Sequence, residues 1–408
     1  MLPLQRSGNR KTRTDKRLGT TLTYAYDNIY QLLTAKQGTT TKESYTYDLV
    51  GNRLSSGGVS PYSYNSSNQL TSIPGTTYTY DNNGNTKTKT TAAGTTTYTW
   101  DYDNRLTQVA LPGTAGMVTF KYDPFGRRVQ KSFTQGGNTT TTNYLYDGRK
   151  LLEELDGSGN VLARYNRGPA IDEPLSGLRG ATTSFYQIDS LGSTTSLSDS
   201  TGALANTYTY DAFGKLIGST GTLTNPVQFT GREFDQETGL YNYRFRYFDP
   251  TIGRFLSEDP ILFDGGIDFY RYAENNPISE ADPLGLDTKV CYYPSSNQPW
   301  GHIGFGLPQE GQDGTSGFYP TGNPFDSPGK VKPDTEHKPT QCKNIPAPKD
   351  KDQCMLQCQQ DRTKNPGDYK VFSRQCTSFV RDCMKKCGLP AGNYDGPKPW
   401  PFFDGLPK

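Results

Sequence analysis

Short alternating runs of apolar and polar residues fill the first 220 positions of the chain. Aromatic residues recur two apart with one residue between them, as in Tyr24-Ala-Tyr-Asp27 and Tyr45-Thr-Tyr-Asp48. A period of two places both rings on the same face of a β-strand. The Asp that follows, with Gly or Asn nearby, is typical of a turn. Each unit therefore predicts a β-hairpin, and neighbouring hairpins are expected to stack and share ladders of rings.

This aromatic phrase occurs eight times. The copies are Tyr24–Asp27, Tyr45–Asp48, Tyr62–Asn65, Tyr78–Asp81, Tyr98–Asp101, Phe120–Asp123, Tyr144–Asp147 and Tyr208–Asp211. The first seven follow one another at intervals of 16 to 24 residues. Such a period indicates a repeat architecture, for which the residues alone also allow a generic β-solenoid or propeller.

Composition supports an ordered, turn-rich β-protein and excludes several classes. The 408 residues include 28 Tyr, 19 Phe and 44 Gly, whereas disordered chains contain few aromatic residues. Mean hydropathy is −0.76, and no apolar run approaches 18 residues, so no stable membrane insertion is expected. The basic N-terminal segment, residues 1–20, lacks the apolar stretch of a secretory signal peptide. A net charge of +2 predicts no nucleic-acid partner, and no cofactor is predicted.

The repeated phrases resemble the YD repeats of the Rhs family. That resemblance implies a mainly β fold whose hairpins spiral into a shell around a C-terminal cargo. Because full family members are much longer, we expect this chain to form a fragment of such a shell. The predicted organisation is a basic segment at 1–20, YD repeats at 21–228, a core domain at 229–286 and a toxin domain at 287–408.

The region 229–286 resembles the Rhs-associated core domain almost throughout. The matching stretches are Phe229–Asp235, Gly239–Pro250, Gly253–Pro260, Tyr270–Pro277 and Asp282–Leu286. Two Asp-Pro pairs lie in it, and taken alone such pairs simply favour turns.

The core resemblance also implies self-cleavage. In that interpretation Asp259 and Asp282 cut the chain after Leu286 and release a fragment that begins at Asp287. Two neighbouring carboxyl groups cannot both ionise easily, so one can activate water while the other protonates the carbonyl or the leaving amide. Arg254 is expected to position or tune the pair.

The tail, residues 287–408, has a different composition from the rest of the chain. All seven cysteines lie between Cys291 and Cys387, and both histidines, His302 and His337, are in the same region. In the Rhs family the segment after the core is a variable toxin. We therefore expect a small α+β toxin domain, in which the loop residue His337 is exposed.

Cysteine spacing in the tail predicts disulfides. Two Cys-x3-Cys pairs would each lie one helical turn apart, so two packed helices could be joined by two bridges. Disulfides would imply an oxidising destination, whereas a zinc site formed by the two x3 pairs is the alternative. The cysteines assigned to disulfides are Cys354, Cys358, Cys383 and Cys387, with Cys291 able to pair with Cys342.

The seventh cysteine, Cys376, is the predicted nucleophile. The apolar residues that follow Cys376 have helical spacing, so Cys376 is predicted to lie at the start of a helix. The positive end of the helix dipole at that position favours the thiolate form of the side chain. His302 lies on a predicted strand between small residues, which suits a base; the alternative is a structural strand residue. The arrangement resembles circularly permuted NlpC-like hydrolases of the papain fold. Ser316 or Thr315 would orient the imidazole, and Gln375 would stabilise an oxyanion.

Together these features predict an Rhs-type antibacterial toxin carrying a papain-like cysteine hydrolase that cleaves an amide in peptidoglycan. Lipid esters or protein amides are alternative substrates, and a non-enzymatic, disulfide-stapled binding module is an alternative of another class. Expected partners are a cognate immunity protein, a secretion-system spike or adaptor, and the cell-wall peptide. The protein is expected to be secreted or at the cell surface and to act in the periplasm of a target cell.

Overall fold

The computed structural model describes residues 9–169, 172–260, 268–283 and 285, together with the backbone of six strands between residues 288 and 369. The chain divides into two units. The first consists of Met1–Glu258 and Tyr270–Gly285, and the second of Asp259–Phe269 and Leu286–Lys408.

The described part of the first unit is nearly all antiparallel β-sheet, with two short 3-10 helices at Phe229–Gly231 and Ala273–Asn275. Its strands are β1 Thr12–Asp15, β2 Thr20–Tyr26, β3 Leu32–Gln37, β4 Thr40–Tyr47, β5 Arg53–Ser56, β6 Ser63–Tyr64, β7 Leu70–Ile73, β8 Thr76–Tyr80, β9 Thr86–Thr91, β10 Gly94–Trp100, β11 Leu106–Ala110, β12 Met117–Tyr122, β13 Arg128–Gln135, β14 Asn138–Asp147, β15 Lys150–Asp156, β16 Val161–Arg167, β17 Pro174–Arg179, β18 Thr182–Ile188, β19 Thr194–Ser198, β20 Leu204–Tyr210, β21 Leu216–Thr220, β22 Glu233–Asp235, β23 Leu240–Tyr243, β24 Arg246–Asp249 and β25 Arg254–Phe255. Among the described residues, no helix is long and apolar enough to cross a membrane.

The strands pair in the order in which they occur along the chain. β1 to β5 form one sheet, β6 to β21 form a sixteen-stranded sheet, and β22 to β25 form a small third sheet. A backbone hydrogen bond of 3.1 Å from Tyr62 to Leu54 joins the first two sheets at their break. The predicted row of stacked hairpins is therefore confirmed, and it begins at Thr12, within the range predicted as a basic N-terminal segment.

The same five-residue turn closes ten of these hairpins. In the turn that begins at Asp81, Oδ1 of the carboxylate accepts the backbone N–H groups of Asn83 and Asn85, each at 2.9 Å. Oδ2 accepts the Asn85 side-chain amide at 3.0 Å. The carboxylate thus satisfies backbone groups that the strands cannot pair. The ten turns begin at Asp27, Asp48, Asn65, Asp81, Asp101, Asp123, Asp156, Asp189, Asp199 and Asp211.

The fourth residue of every such turn has a left-handed backbone. It is glycine in seven turns, for example Gly84 at φ +78°, and Tyr30, Asn68 or Asn104 in the other three. A type I turn followed by one left-handed residue is a common hairpin connection, and glycine adopts that conformation without steric cost.

The two aromatic residues of each phrase differ in burial and in the contacts that they make. The first ring is buried, as for Tyr78 and Tyr98 at 5% exposure each. In six of the eight phrases the second ring reaches back and donates its hydroxyl or indole N–H to a backbone carbonyl of the preceding chain, whereas the hydroxyls of Tyr47 and Tyr210 have no hydrogen-bond partner among the described residues. Tyr80 donates to Leu70 at 3.0 Å in this way. The same bond is made by Tyr26 to Arg10, Tyr64 to Arg53, Tyr122 to Leu106 and Tyr146 to Arg128, and by the indole of Trp100 to Thr86.

The part of the core segment that belongs to the first unit, residues 229–258, 270–283 and 285, packs against the buried rings of the large sheet. Its Tyr247 joins a cluster with Phe120, the two ring centres being 5.2 Å apart. Buried ion pairs tie the two parts together as well. Arg128 of β13 pairs with Asp235 of β22 at 2.5 Å, with both side chains at most 2% exposed.

Two of the turn glycines, Gly84 and Gly214, lie against this core segment. A Cβ on Gly84 would fall 2.3 Å from the Glu258 side chain, and one on Gly214 would fall 2.4 Å from Phe229. The hydroxyl of Tyr270 donates to the Gly84 carbonyl at 2.6 Å. Glycine is therefore needed at these turns for close approach as well as for backbone conformation.

The first strands of the chain lie close to the turn between β20 and β21. Glu43 of β4 accepts the backbone N–H of Ala212 at 2.9 Å, and the Arg53 guanidinium stacks 3.9 Å from the Phe213 ring. Asp211, in the same turn, is partly buried and lies close to Glu43. Burial, and secondarily the Glu43 carboxylate, raise the pKa of Asp211 to about 7.

The tail contributes six strands whose backbone is described. They are β26 Thr288–Tyr293, β27 His302–Gly306, β28 Ser316–Pro320, β29 Ser327–Pro333, β30 Gln341–Ile345 and β31 Asp368–Tyr369, and they pair in the order β30, β26, β27, β28, β29, β31. The helices predicted around the Cys-x3-Cys pairs and after Cys376 lie outside the described residues.

The left-handed position of the turn gives a first prediction. Gly159→Ala is expected to lower the free energy of unfolding by about 1–2 kcal/mol, because φ is +88° and nothing lies within 4 Å of the added Cβ. Gly157→Ala, in the same turn but without positive φ, meets Thr141 at an ordinary 3.5 Å and should change stability by less than about 0.5 kcal/mol. Chemical denaturation followed by circular dichroism measures both, and equal effects would contradict the assignment.

The raised pKa of Asp211 gives a second prediction. Unfolded Asp ionises near pH 3.9, so the contribution of Asp211 is fully present below that pH and lost as pH rises through about 7. Asp211→Asn keeps an Oδ1 acceptor, as Asn65 does naturally in its own turn. The stability of the wild type relative to this variant should fall by roughly 2 kcal/mol between pH 5 and pH 8.

Asp199 provides the control for this pH experiment. Its pKa is lowered by the Thr201 hydroxyl and then by backbone N–H groups, so its contribution is lost only as pH falls through the acid range. Denaturation of Asp199→Asn between pH 5 and pH 8 should therefore run parallel to the wild type. A parallel profile for Asp211→Asn would show that Asp211 is ionised throughout.

Candidate functional site

The end of the core segment is the best candidate for a functional site in the described chain, because it precedes the predicted cut. Two arginines of the β23–β24 hairpin hold it. Arg246 pairs with the Asp282 carboxylate at 2.9 Å, and Arg244 donates to the backbone carbonyl of Pro283. Gly285 has φ +71°, and a Cβ there would lie 2.9 Å from the Tyr243 carbonyl. The chain therefore needs glycine at this last position of the first unit.

The Arg246–Asp282 pair is buried. The two side chains are 2% and 1% exposed, and the Arg246 guanidinium lies 3.6 Å from the centre of the Phe255 ring. Desolvation of both ions opposes their attraction, so such a pair adds little net stability, but loss of one partner leaves a buried charge and costs about 3–5 kcal/mol. The pair fixes where Asp282 sits.

Arg244 occupies an unusual backbone conformation. It is the first residue of a two-residue hairpin turn and has φ +60°, a region that favours glycine and costs other residues about 1–2 kcal/mol. Its backbone N–H donates to the Asn242 side chain at 3.0 Å. Its guanidinium donates two hydrogen bonds, of 2.6 and 3.1 Å, to the Asp172 carboxylate. The side-chain contacts offset the backbone strain.

Asp172 is shared between two cations. Arg232 also pairs with it, at 2.7 Å. Burial opposes ionisation of Asp172, but the neighbouring guanidinium groups of Arg244 and Arg232 outweigh it and hold its pKa below the ordinary value. Burial and Arg232 together lower the pKa of Arg244, although Asp172 opposes them. One carboxylate thus serves two buried cations.

The residues assigned to self-cleavage are only partly described. Arg254 is buried, and its guanidinium donates to the Asn52 side chain at 3.2 Å and to the Asn68 carbonyl at 2.8 Å. Asp259, which belongs to the second unit, is 3% exposed, and its backbone N–H donates to Phe269 at 2.9 Å. Leu286 and Asp287 lie outside the described residues, so the cut itself stays a prediction.

Arg244, Arg246 and Asp172 are not among the residues predicted from the sequence to form a site. A signal existed for the arginines, because they alternate with aromatic residues in a segment that is otherwise apolar, and a buried arginine requires an anionic partner. No local pattern marks Asp172, which lies 72 residues before Arg244.

Little of the predicted catalytic site in the tail is described. His302 begins β27, where its Cα is paired with that of Tyr293. Ser316 begins β28 and is paired with Phe305. Thr315, Gln375 and Cys376 lie outside the described residues.

The cysteines are also mostly outside the described chain. The register of β26 and β30 sets Cys291 opposite Cys342, which is the pairing considered for a disulfide. The disulfide stays a prediction. Cys354, Cys358, Cys383 and Cys387 are not among the described residues. Within the described part of the chain, no group of three or more His, Cys, Asp or Glu could hold a metal ion.

Comparison with known proteins identifies relatives of the sheet and core segment. A sequence model described as teneurin YD-shell matches residues 6–278. The tRNA nuclease WapA of Bacillus subtilis (strain 168) is 36% identical over 277 residues, which cover 64% of this chain and 12% of WapA. The double-stranded DNA deaminase toxin A of Burkholderia cenocepacia (strain H111) is 29% identical over 297 residues, covering 64% of this chain and 20% of the toxin. The crystal structure of TcdB2-TccC3 matches at 20% identity and a TM-score of 0.41, covering 70% of this chain and 20% of that one.

The chain thus spans only 12–20% of the length of these two curated relatives. The activities for which these relatives are named nevertheless correct two predictions. A tRNA nuclease and a DNA deaminase act on nucleic acid, so the predicted cysteine hydrolase of peptidoglycan is wrong, as is the exclusion of nucleic-acid partners. The exclusion of nucleic-acid partners was wrong because it rested on the net charge of +2. A sum over 408 residues does not describe the charge of a local binding surface.

Proposed function

The chain belongs to the teneurin YD-shell family, and from that premise we propose that it is an Rhs-type toxin whose sheet and core segment carry a nucleic-acid-directed enzyme in residues 287–408. One observation carries this proposal. The curated relatives that share the carrier region at 29–36% identity are named for action on tRNA and on double-stranded DNA.

The use of charged groups in the first unit supports assigning the chemistry to the tail. Carboxylates of the turns bind backbone N–H groups, as Asp81 does. Carboxylates of the core segment pair with buried cations, as Asp235 does with Arg128. These carboxylates stabilise the sheet and core segment, because their oxygens are engaged in hydrogen bonds and ion pairs within that part of the chain. The tail contains both histidines of the chain, and histidine is the side chain most often used for acid–base catalysis near neutral pH.

Expression from a tightly controlled promoter tests the proposal. Growth is expected to stop, and cleaved tRNA or cleaved or deaminated DNA should be detected by sequencing total nucleic acid. A chain that ends at Gly285, checked for β-sheet by circular dichroism, should not be toxic. Poisoned cells with intact, unaltered tRNA and DNA would overturn the nucleic-acid assignment, and a folded full chain without toxicity would overturn the toxin assignment.

We also propose the self-cleavage implied by the core resemblance. Water would attack the peptide carbonyl of Leu286, one aspartate would take the proton from water, and the other would protonate the leaving amide nitrogen. The products are the Leu286 carboxylate and the free amine of Asp287. The ion pair between Asp282 and Arg246, at 2.9 Å, would position one of the two carboxyl groups.

Substitution of the aspartates tests self-cleavage. The purified wild type should yield a fragment whose N-terminal residue is Asp287, read by mass spectrometry, and Asp282→Asn and Asp259→Asn should both stay intact. Asp249→Asn is the matched control, because Asp249 is also buried and ion-paired, with Lys89 at 2.9 Å. The control should still be cleaved. Cleavage of folded Asp282→Asn, or an uncut wild type, would contradict the proposal.

The remaining expectations follow from a toxin. An immunity protein would protect the producing cell, and a secretion-system spike or adaptor would deliver the protein. Because nucleic acid is the proposed substrate, the enzyme would have to reach the compartment that contains it.

A further inference from the structure

The core segment contains a short stretch that does not belong to the first unit. The chain leaves that unit after Glu258 and returns to it at Tyr270. Residues 259–269 between them begin with Asp259, one of the two aspartates of the proposed self-cleavage. The first and last residues of this stretch are joined, because the backbone N–H of Asp259 donates to the Phe269 carbonyl at 2.9 Å. Glu258 and Tyr270 are therefore the neck through which Asp259 is attached to the first unit.

The side chains of the two neck residues meet at the turn between β8 and β9. The Tyr270 hydroxyl donates to the Gly84 carbonyl at 2.6 Å and lies 3.3 Å from Oε1 of Glu258. Tyr270 is 1% exposed. Burial, and secondarily the Glu258 carboxylate, raise the pKa of Tyr270, so its hydroxyl keeps the proton and remains a donor. We name the contact of Tyr270, Glu258 and Gly84 the neck clamp.

The Glu258 side chain has little room in the neck clamp. A Cβ on Gly84 would lie 2.3 Å from it, so only a glycine turn admits the glutamate. Burial raises the pKa of Glu258, the Tyr270 hydroxyl opposes that rise, and the nearby Asp81 carboxylate adds to it. An acid that is partly buried near another acid does not favour folding. Residues that break such a rule are expected where function requires them.

The backbone on both sides of the neck is fixed as well. The N–H of Thr86, at the start of β9, donates to the Leu256 carbonyl at 2.7 Å. The N–H of Phe255 donates to the Tyr270 carbonyl at 2.9 Å. The guanidinium of Arg254, the residue expected to position or tune the aspartates, lies 5.5 Å from the centre of the Tyr270 ring. The neck clamp thus closes the last link between this rigid support and Asp259.

We propose that Tyr270 and Glu258 are positioning residues for self-cleavage, which hold the two ends of the neck together and so fix the backbone of Asp259. The inference rests on the self-cleavage proposed above and adds two residues to it. Neither residue transfers a proton in the reaction. A carboxyl group that takes or gives a proton must be within hydrogen-bond reach of its partner, and a displacement of about 1 Å can slow a reaction about a hundredfold.

Cell-free synthesis of the full chain, with the cut followed over time on a denaturing gel, tests the proposal. Tyr270→Phe removes only the hydroxyl and should slow self-cleavage by about tenfold or more. Tyr122→Phe is the matched control, because Tyr122 also donates to a backbone carbonyl at 2.6 Å and has a second oxygen, that of Tyr247, at 3.3 Å. The control should be cut at the wild-type rate. Equal rates for the two variants would overturn the proposal.

A pair of glycine variants tests the same contact from the other side. Gly84→Ala displaces Glu258 and should slow the cut. Gly159→Ala has a similar backbone strain, at φ +88° against +78°, but nothing lies within 4 Å of its Cβ, so it should be cut normally. Equal slowing of both would assign the effect to lost stability and contradict the clamp.

Conservative variants and the pH profile separate positioning from proton transfer. Glu258→Gln keeps an Oε1 acceptor and should be slowed less than Glu258→Leu. Tyr270→Phe should be slowed by the same factor at every pH between 5 and 9, because the two aspartates still carry the protons. A pH profile of changed shape would overturn the positioning role.

Hydrogen exchange distinguishes failure of the neck clamp from failure of self-cleavage. In the uncut Asp282→Asn chain, addition of Tyr270→Phe should speed exchange of the Asp259 amide by about tenfold, whereas Tyr122→Phe should not change it. Unchanged exchange in the presence of Tyr270→Phe would overturn the clamp. An uncut wild type would contradict self-cleavage, and the exchange rates would then still decide whether the clamp holds Asp259.

Discussion

The aspartate-capped turn is the interaction on which the rest of the structure depends. Its Oδ1 accepts two backbone N–H groups of the same loop, as Asp81 does from Asn83 and Asn85, both at 2.9 Å. That contact fixes a tight connection with a left-handed fourth residue, and the connection fixes the register of the two strands it joins. Once register is set, the first ring of each phrase must lie on the buried face. The large sheet is this local unit repeated, and it presents one apolar face for the core segment.

The core segment converts a row of hairpins into a folded body. Its rings fill the buried face of the sheet, its acids neutralise cations that the strands place there, and its side chains rest on the turn glycines. These contacts join residues more than a hundred positions apart, as between Arg128 and Asp235. A sheet with one exposed apolar face is unstable in water, so the hairpins and the core segment must stabilise each other.

The predictable part of the molecule is the part that local rules determine. Alternation placed Tyr78 and Tyr98 on the buried face, and the Asp-to-Gly spacing predicted the turns. The repeated aromatic phrase did not predict the hairpins of β15 to β19, because the phrase is not conserved in form there. In that region the Arg167 Nε donates to the Leu151 carbonyl, whereas other hairpins use a tyrosine hydroxyl for this bond. Sites that depend on distant partners, such as Asp172 with Arg244, leave no local pattern. Substrate class in the tail was inferred wrongly because thiol and imidazole spacing suits several chemistries, and the relatives act on nucleic acid.

The back-reaching bond of the second aromatic residue gives the array a direction. Tyr80 donates to Leu70, and Tyr122 donates to Leu106, so these hydroxyls find their acceptors in the chain that precedes them. For these bonds a growing chain would find its partner already present, whereas ion pairs such as that of Arg128 with Asp235 are completed only by later sequence. The core segment comes last in the first unit, after the surface that it covers has been made. Contacts between neighbouring hairpins can therefore form in the order in which the strands emerge, and the long-range contacts form when the core segment follows.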